Sequence, residues 1–387
     1  MTNNNDKKVL NVPLLRFPEF TEEWKEHCLA EYLDFKNGLN PSANKFGSGI
    51  KFISVMDILN NNFITYDCIR TSVKITPEEQ VAFAVEKGDM LFQRSSETLE
   101  DVGRANVYMD ENPAVFGGFV IRGKKKTEYN PMFFRYLLAS PYARKKIIPM
   151  GAGAQHFNIG QDGLSKVKLH FPILQEQQKI AALLRLIDER ITTQNKIIED
   201  LKKLKSAISE CIFNSIKGDV VMLSEICDIV KGKQINGEYL SESGEYYVMN
   251  GGTEPSGYYS EYNVKANTIS ISEGGNSCGY VQFNNFPFWS GGHCYSLQNI
   301  ADIVDNLYLY HYLKSKEEAI MKLRIGSGLP NIQKKDLAMF KTIVPPFEQQ
   351  ITISTFLSSL ERKAEIEERI LNVMQKQKLY LLQQMFI

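Results

Sequence analysis

Net charge is the first thing this chain of 387 residues lacks: 45 basic and 45 acidic side chains cancel. A neutral total supplies no whole-molecule field to draw in a polyanion, so any such partner has to be held by local charge. Cysteine is scarce as well. Cys28, Cys68, Cys211, Cys227, Cys278 and Cys294 form no CxxC pair and share no ligand spacing with histidine, so they read as reduced structural thiols. No apolar run is long enough for a membrane span and no signal peptide is present, which makes a cytoplasmic protein the expectation. Phosphate-cradling glycine loops are missing, as are HExxH, GxSxG and the Asn/Asp-Pro-Pro-aromatic run that amino-methyltransferases use. His27, His156, His170, His293 and His311 are scattered; His156 and His293, in glycine-rich loops, are the two with a binding reading. No catalytic residue and no metal ligand is assigned, and an enzyme acting alone is not expected.

What the chain does have is a repeat. At 43% apolar and 11% aromatic it is long enough for two cores. Pro172-Ile173-Leu174-Gln175-Glu176-Gln177-Gln178 opens a stretch whose apolar residues recur in steps of four and three: Ile180, Leu184, Ile187, Ile191, Gln194, Ile198, Leu201, Lys205, Ile208, Ile212. Moving 173 positions on, Pro345-Pro346-Phe347-Glu348-Gln349-Gln350 opens a copy with the seam Ile353, Leu357, Leu360, Ala364, Glu367, Leu371, Met374, Lys378, Leu381, Met385. The lead-ins match too, Gly153 to Asn158-Ile159 and Leu164 against Gly326 to Asn331-Ile332 and Leu337. A period this long means two related halves rather than a solenoid.

A stripe with a 3.5-residue period buries only against another helix like itself. About forty residues of helix span roughly 60 Å. Run antiparallel, the two stripes have a register that sets Lys205 opposite Glu367 and Lys378 opposite Gln194. In it Ile187, Ile191, Ile198, Leu201, Ile208 and Ile212 meet Met385, Leu381, Met374, Leu371, Ala364 and Leu360. A slip of one heptad would set each charge against an apolar residue, so this register is the one expected.

Between the helices the pattern is short strands with breaks. In the first half Cys28–Phe35 reads as a short helix, Lys36-Asn37-Gly38 as a turn, and 51–56, 81–85, 89–94, 114–116 and 119–122 as strands. Residues 131–138 and 142–147 read as helices and 166–171 as the last strand. The second half keeps the order, with 223–233, 246–249, 268–272, 286–297 and 307–313 mirroring 29–38, 51–56, 89–94, 114–122 and 133–138. One local excess of charge stands out. Arg122, Lys124, Lys125, Lys126, Arg135, Arg144, Lys145 and Lys146 face Glu128 alone, and the second half has no counterpart. Phosphate neutralisation would then come largely from a partner.

These motifs resemble those of the specificity subunit of type I restriction-modification systems. The marks are the Pro-(Pro)-x-x-Glu-Gln-Gln helix entries, the Gly-x-x-x-x-Asn-Ile lead-ins, the Lys-x-Gly and Lys-Gly turns at 36–38 and 231–232, and Leu-Leu-Arg-Phe-Pro-Glu-Phe at 14–20 with Trp24. The resemblance covers nearly the whole chain. It departs at Ile173, where Pro-Ile replaces Pro-Pro, and in the Glu-Gln-Gln triplet, which shifts by one residue between copies. The implied fold is α+β: two β-rich globular target-recognition domains separated by a long antiparallel two-helix coiled coil, with an internal pseudo-twofold repeat. The expected boundaries are a disordered tail at 1–12, domains at 13–171 and 218–344, and long helices at 172–217 and 345–387. The resemblance also implies double-stranded DNA read as a bipartite asymmetric target, and two docked modification subunits. Those partners would bring S-adenosylmethionine to methylate adenine N6, and a restriction subunit would add ATP and Mg; this chain itself would bind no cofactor.

For contact with DNA the candidates are polar residues in inter-strand loops. They are Lys45, Gln93, Arg94, Ser95, Arg104, Gln155 and His156 in the first domain, and Lys233, Gln234, Asn250, Ser272, Glu273, Asn276 and His293 in the second. Arg94 and Arg104 suit guanine; Gln93, Gln155 and Asn276 suit adenine. Two competing readings remain: a coiled-coil scaffold joining two domains for ligands other than nucleic acid, and a single-chain methyltransferase or nuclease, which the missing motifs disfavour.

Overall fold

A computed structural model describes residues 11–387 apart from 327 and 329. Most of the expected tail, residues 1–10, therefore lies outside the described residues. The chain divides into two compact units. One runs to Gln194 and takes back Ile370–Ile387; the other is Asn195–Arg369.

The first unit is organised on a four-stranded antiparallel sheet: β1 (Leu33–Asn37), β2 (Met90–Gln93), β3 (Ala105–Val107) and β4 (Val120–Lys125), in the order β1-β4-β2-β3. All four residues of β2 are buried, and the pleat sends them into two different cores. Met90 and Phe92 pack with Phe133, Phe134 and Leu137 of α1 (Pro131–Ala139). Leu91 packs on the opposite face with Ile53, Tyr108, Phe116 and Val120. That double burial is why the stretch reads as a continuous apolar run rather than an alternation. The unit then enters α2 (Leu174–Ser215).

The second unit repeats the plan with β5 (Asp228–Lys231), β6 (Thr268–Ser272), β7 (Val281–Asn284) and β8 (Cys294–Gln298), in the order β5-β8-β6-β7. Ile269 and Ile271 of β6 pack with Tyr308, Leu309 and Leu313 of α3 (Asn306–Ser315). The other face of β6 is polar and also buried. There Asn284 Nδ2 donates to the Thr268 carbonyl and to Ser270 Oγ, both at 2.9 Å. The chain ends in α4 (Phe347–Gln384).

Three local expectations are corrected. Cys28–Phe35 forms a single helical turn, Leu29–Tyr32, between strand Lys25–Cys28 and β1. Pairing of β1 with β4 and the burial of Leu33 override the helical preference of the segment. The strand read at 51–56 ends at Ile53, because Asp57 caps the backbone of Ser54 at 2.7 Å and starts helix Val55–Asn60. At 81–85 only Ala84–Val85 are extended. Thr76 and Glu79 form a capping box that carries the helix Pro77–Ala82 into this stretch.

The repeated glutamine of the two helix entries has a specific task. In the first unit Gln177 accepts from the backbone N–H of Asn130 at 3.0 Å and donates to the Pro172 carbonyl at 3.0 Å. Asn130 is itself the N-cap of α1. In the second unit Gln350 accepts from the N–H of Asp305, the N-cap of α3, at 2.8 Å, and donates to Pro345 and Ile303 carbonyls at 2.8 and 2.9 Å. Each long helix is thus clasped by its first turn to the helix of its own domain. The equivalent residues are Gln177 and Gln350, which explains why the Glu-Gln-Gln triplets look displaced by one. The freed position diverges: Glu176, 1% exposed, binds Arg16 at 2.7 Å and Trp24 Nε1 at 3.3 Å.

Within each unit the two long helices run antiparallel. In the first, Ile180, Ala181 and Leu184 of α2 share a core with Leu381, Leu382, Met385 and Phe386 at the far end of the chain. In the second, Ile208, Ile212 and Phe213 share one with Ile353 and Leu357. The seam positions Ile187, Ile191, Gln194, Ile198, Leu201, Lys205, Ile208, Ile212, Leu360, Ala364, Glu367, Leu371, Met374, Lys378, Leu381 and Met385 are all buried or half-buried. Their register is one heptad away from the expected one. Lys378 pairs with Asp188 at 2.5 Å, and Lys205 pairs with Glu361. The penalty expected for this register is avoided because each lysine stem crosses the seam and its ammonium reaches an acid on the flank.

Candidate nucleic-acid interface

The predicted contact residues of the first unit collect at the end of β2. Arg94 donates its backbone N–H to the Phe119 carbonyl at 2.8 Å, and its own carbonyl accepts from Ile159 at 2.9 Å. Ser95 and Ser96 pair with Asn158 and Phe157, and Ser95 Oγ bonds the Asn158 side chain. The Gly153–Ile159 lead-in therefore bends at Gln155 and His156, both exposed, and lays the short strand Phe157–Asn158 against Ser95–Ser96 just beyond β2. Gly153 has φ +146°, and a side chain there would run into the His156 carbonyl. Gln93 is buried; its Nε2 donates to the Ser95 carbonyl at 2.9 Å and its Oε1 has no hydrogen-bond partner among the described residues. Arg94 Nη1 donates to the Gly118 carbonyl at 3.3 Å. Arg104 joins the group through its carbonyl, which accepts from Gln93, while its guanidinium pairs with Asp101 at 2.6 Å. Lys45 belongs to a different piece, the turn Ala43–Lys45, with Glu79 at 4.0 Å.

In the second unit the same end of β6 is wired the same way. Glu273 donates its N–H to the His293 carbonyl at 2.9 Å and accepts from Ile332 at 2.8 Å. Ser272 Oγ donates to the Gly251 carbonyl at 2.6 Å, and Asn250 Oδ1 accepts from the His293 backbone at 3.1 Å. Glu273 Oε1 accepts from Lys231 Nζ at 2.6 Å and Tyr295 OH at 3.0 Å. Lys233, Gln234, Asn276 and His293 are exposed around it. Lys231 and Tyr295 were absent from the sequence-derived set. The Lys-Gly turn was a usable signal for Lys231; for Tyr295, buried on β8, there was none.

Glycine spacing holds both sites to one geometry. A Cβ on Gly38 would lie 2.0 Å from the Gly117 carbonyl, and one on Gly232 would lie 2.2 Å from that of Gly291. Only glycine permits this approach between the end of β1 or β5 and the Gly-Gly turn before β4 or β8. The turn then projects Phe119 in one unit and His293 in the other, 68% and 62% exposed.

The basic run at 122–146 is not a free cationic face. Arg122 is buried and donates to the Ala84 carbonyl; Lys124, Lys125 and Lys146 pair with Glu86, Glu128 and Glu26 at 3.2, 3.1 and 4.0 Å. Lys126 donates to Ala30, and Arg144 to the carbonyls of Glu100 and Val102 at 2.8 and 2.6 Å. Arg135 lies 3.8 Å from Asp188. Burial lowers the affinity of both arginines for their protons, Arg144 down to about 10 with help from nearby Arg104. Much of this charge is spent inside the fold.

No helix among the described residues is long and apolar enough to cross a membrane. The family model of the type I restriction modification DNA specificity domain matches twice, over residues 21–203 and 217–376. The putative type I restriction enzyme MjaX specificity subunit of Methanocaldococcus jannaschii is 24% identical over 91% of this chain and 90% of its own length. A putative type I specificity subunit of Mycoplasma pneumoniae is 33% identical over 40% of this chain and 41% of its own length. The crystal structure of a type I restriction-modification S subunit from M. genitalium shares the fold at TM-score 0.65, with 18% identity, covering 97% of this chain and 99% of that one. Two matched domains, each carrying the strand-end geometry described above, place this chain in the family of type I restriction-modification DNA specificity subunits.

Proposed function

We propose that each unit reads one half of a split, asymmetric DNA sequence, and that the long helices dock two modification subunits which methylate adenine N6. The observation that carries this reading is one scaffold built twice with different side chains at its tip. Arg94 and Phe119 stand where the second unit has Glu273 and His293, and Gln155 and His156 are exposed beside the first pair. Phosphate contacts would position the duplex and these tips would specify it. A repeated scaffold suits the dyad of a duplex, and unlike tips suit an asymmetric target.

The chain is the non-catalytic member of such an assembly. S-adenosylmethionine belongs to the modification subunits, as does the pocket into which the target adenine leaves the stack. ATP and Mg belong to a restriction subunit where one joins. The assembly works in the cytoplasm, beside the host chromosome. Selection from randomised duplexes by the chain with its modification subunits tests the reading: two short motifs separated by a fixed gap are expected. Enrichment of one unbroken motif, or of none, would defeat it. Labelled S-adenosylmethionine and DNA given to the chain alone should yield no methyl transfer.

A further inference from the structure

The outgoing end of the inner strand carries opposite charges in the two units. Arg94 and Glu273 occupy one position of the repeated scaffold: each donates its backbone N–H to the Gly-Gly turn and accepts from the isoleucine of the Asn-Ile lead-in. The cation has also moved. In the second unit it sits two strands over, beyond β8, on Lys231 at the end of β5, where the first unit has Asn37.

The Glu273 carboxylate is half satisfied. Oε1 is held by Lys231 Nζ at 2.6 Å and Tyr295 OH at 3.0 Å. Oε2 is buried and has no hydrogen-bond partner among the described residues. His293 Nδ1 stands 3.9 Å away, beyond hydrogen-bond distance, on a side chain that is 62% exposed. A buried acceptor without a donor is unfavourable. Lys231 and Tyr295 fix Oε1 and leave Oε2 without a donor beside the exposed His293 side chain.

We propose that Glu273 Oε2 accepts a hydrogen bond from the N4 amino group of a cytosine in the half-site read by the second unit. The inference rests on the DNA-reading function proposed above and names the base class at one position of it. An ionised carboxylate has only acceptors. In the major groove the exocyclic donors are cytosine N4 and adenine N6, and adenine sets its N7 acceptor beside the amine, where it would face the carboxylate's lone pairs. Cytosine does not. At the matching position Arg94 presents only donors, so the first unit's base there should carry acceptors, as guanine does.

The test is selection from randomised duplexes with the full-length chain and its modification subunits, comparing wild type, Glu273→Gln and Lys231→Gln. Wild type should select cytosine at one position of one half-site. Glu273→Gln should lower that preference about tenfold or more and leave the other half-site unchanged. Lys231→Gln should weaken binding on all sequences alike and keep the cytosine. The proposal is overturned if Glu273→Gln keeps the base preference or loses affinity evenly at every position. It is also overturned if Lys231→Gln relaxes the same position, since Glu273 would then act only by holding the lysine. Should the glutamine variant fail to fold, Glu273→Asp keeps the charge, withdraws the oxygen by one methylene, and reads the same position. Wild type that selects a split motif while Glu273→Gln changes nothing refutes this assignment alone; wild type that selects nothing refutes the DNA-reading function with it.

Discussion

Asp188→Asn should destabilise the first unit by about 3–5 kcal/mol, the range for removing one partner of a buried charged group. The carboxylate is 7% exposed, accepts from Tyr136 OH at 2.8 Å, pairs with Lys378 Nζ at 2.5 Å, and has Arg135 Nη1 at 3.8 Å as a second counter-charge beyond hydrogen-bond distance. Asparagine keeps the shape and still accepts from Tyr136. It leaves two cations, one of them largely buried, with no counter-charge. Lys378→Met is the milder change, about 2 kcal/mol, because Asp188 retains Tyr136 and Arg135. The chain has two tryptophans, Trp24 buried in the first unit and Trp289 in the second, so fluorescence in a Trp289→Phe background reports the first unit alone. Urea melts of the two single variants and the double give a cycle, and direct contact predicts a coupling of about 1–3 kcal/mol. Coupling within about 0.5 kcal/mol of zero would refute the register, because Lys378 would then be pairing elsewhere along α2.

Other outcomes follow from the same geometry. Gln350→Leu should cost the second unit about 2–3 kcal/mol and leave Trp24 melts unmoved, since it strands the half-buried Asp305 N–H, the buried Pro345 carbonyl and the half-buried Ile303 carbonyl. His311 is buried between α3 and α4 with Ser358 Oγ at 2.9 Å, and desolvation pushes its pKa from 6.5 down to about 4, opposed by Glu361 and assisted by Lys205. The unfolded chain takes up that proton first, so this stabilisation is complete above pH 6.5 and is lost as pH falls towards 4, by about 3 kcal/mol. His311→Gln should flatten the acid limb of a stability–pH curve; an unchanged limb would dismiss His311 as its source. Arg94→Ala should weaken binding to the cognate half-site more than binding to random DNA, and equal losses would reassign Arg94 to the backbone.

How much of this was legible depends on which residues set each feature. The seam was, because burial along α2 and α4 enforces the spacing from Ile187 to Ile212 and from Leu360 to Met385. Its register was not. A one-heptad slip sets Lys378 and Lys205 among apolar seam residues, and the acids that make it tolerable, Asp188 and Glu361, lie beside the seam rather than on it. The strands β2 and β4 were visible as apolar runs and β6 and β8 as alternations, whereas the helix Pro77–Ala82 hid behind apolar residues that followed its capping box. The basic run misled because its partners, Ala84, Glu86, Ala30, Glu26 and Glu100, are distant in sequence. Loop position and side-chain type led to candidates that, Lys45 apart, gather around the ends of β2 and β6. That Arg94 and Glu273 are the same position required the backbone pairing.

Mapping methylated adenines in the host genome, with this gene intact and with it deleted, bears most directly on the central claim of two unlike readers on one repeated scaffold. The account predicts modified adenines within one split, non-palindromic motif, lost on deletion. A symmetric or unbroken motif, or methylation that persists without the gene, would contradict it.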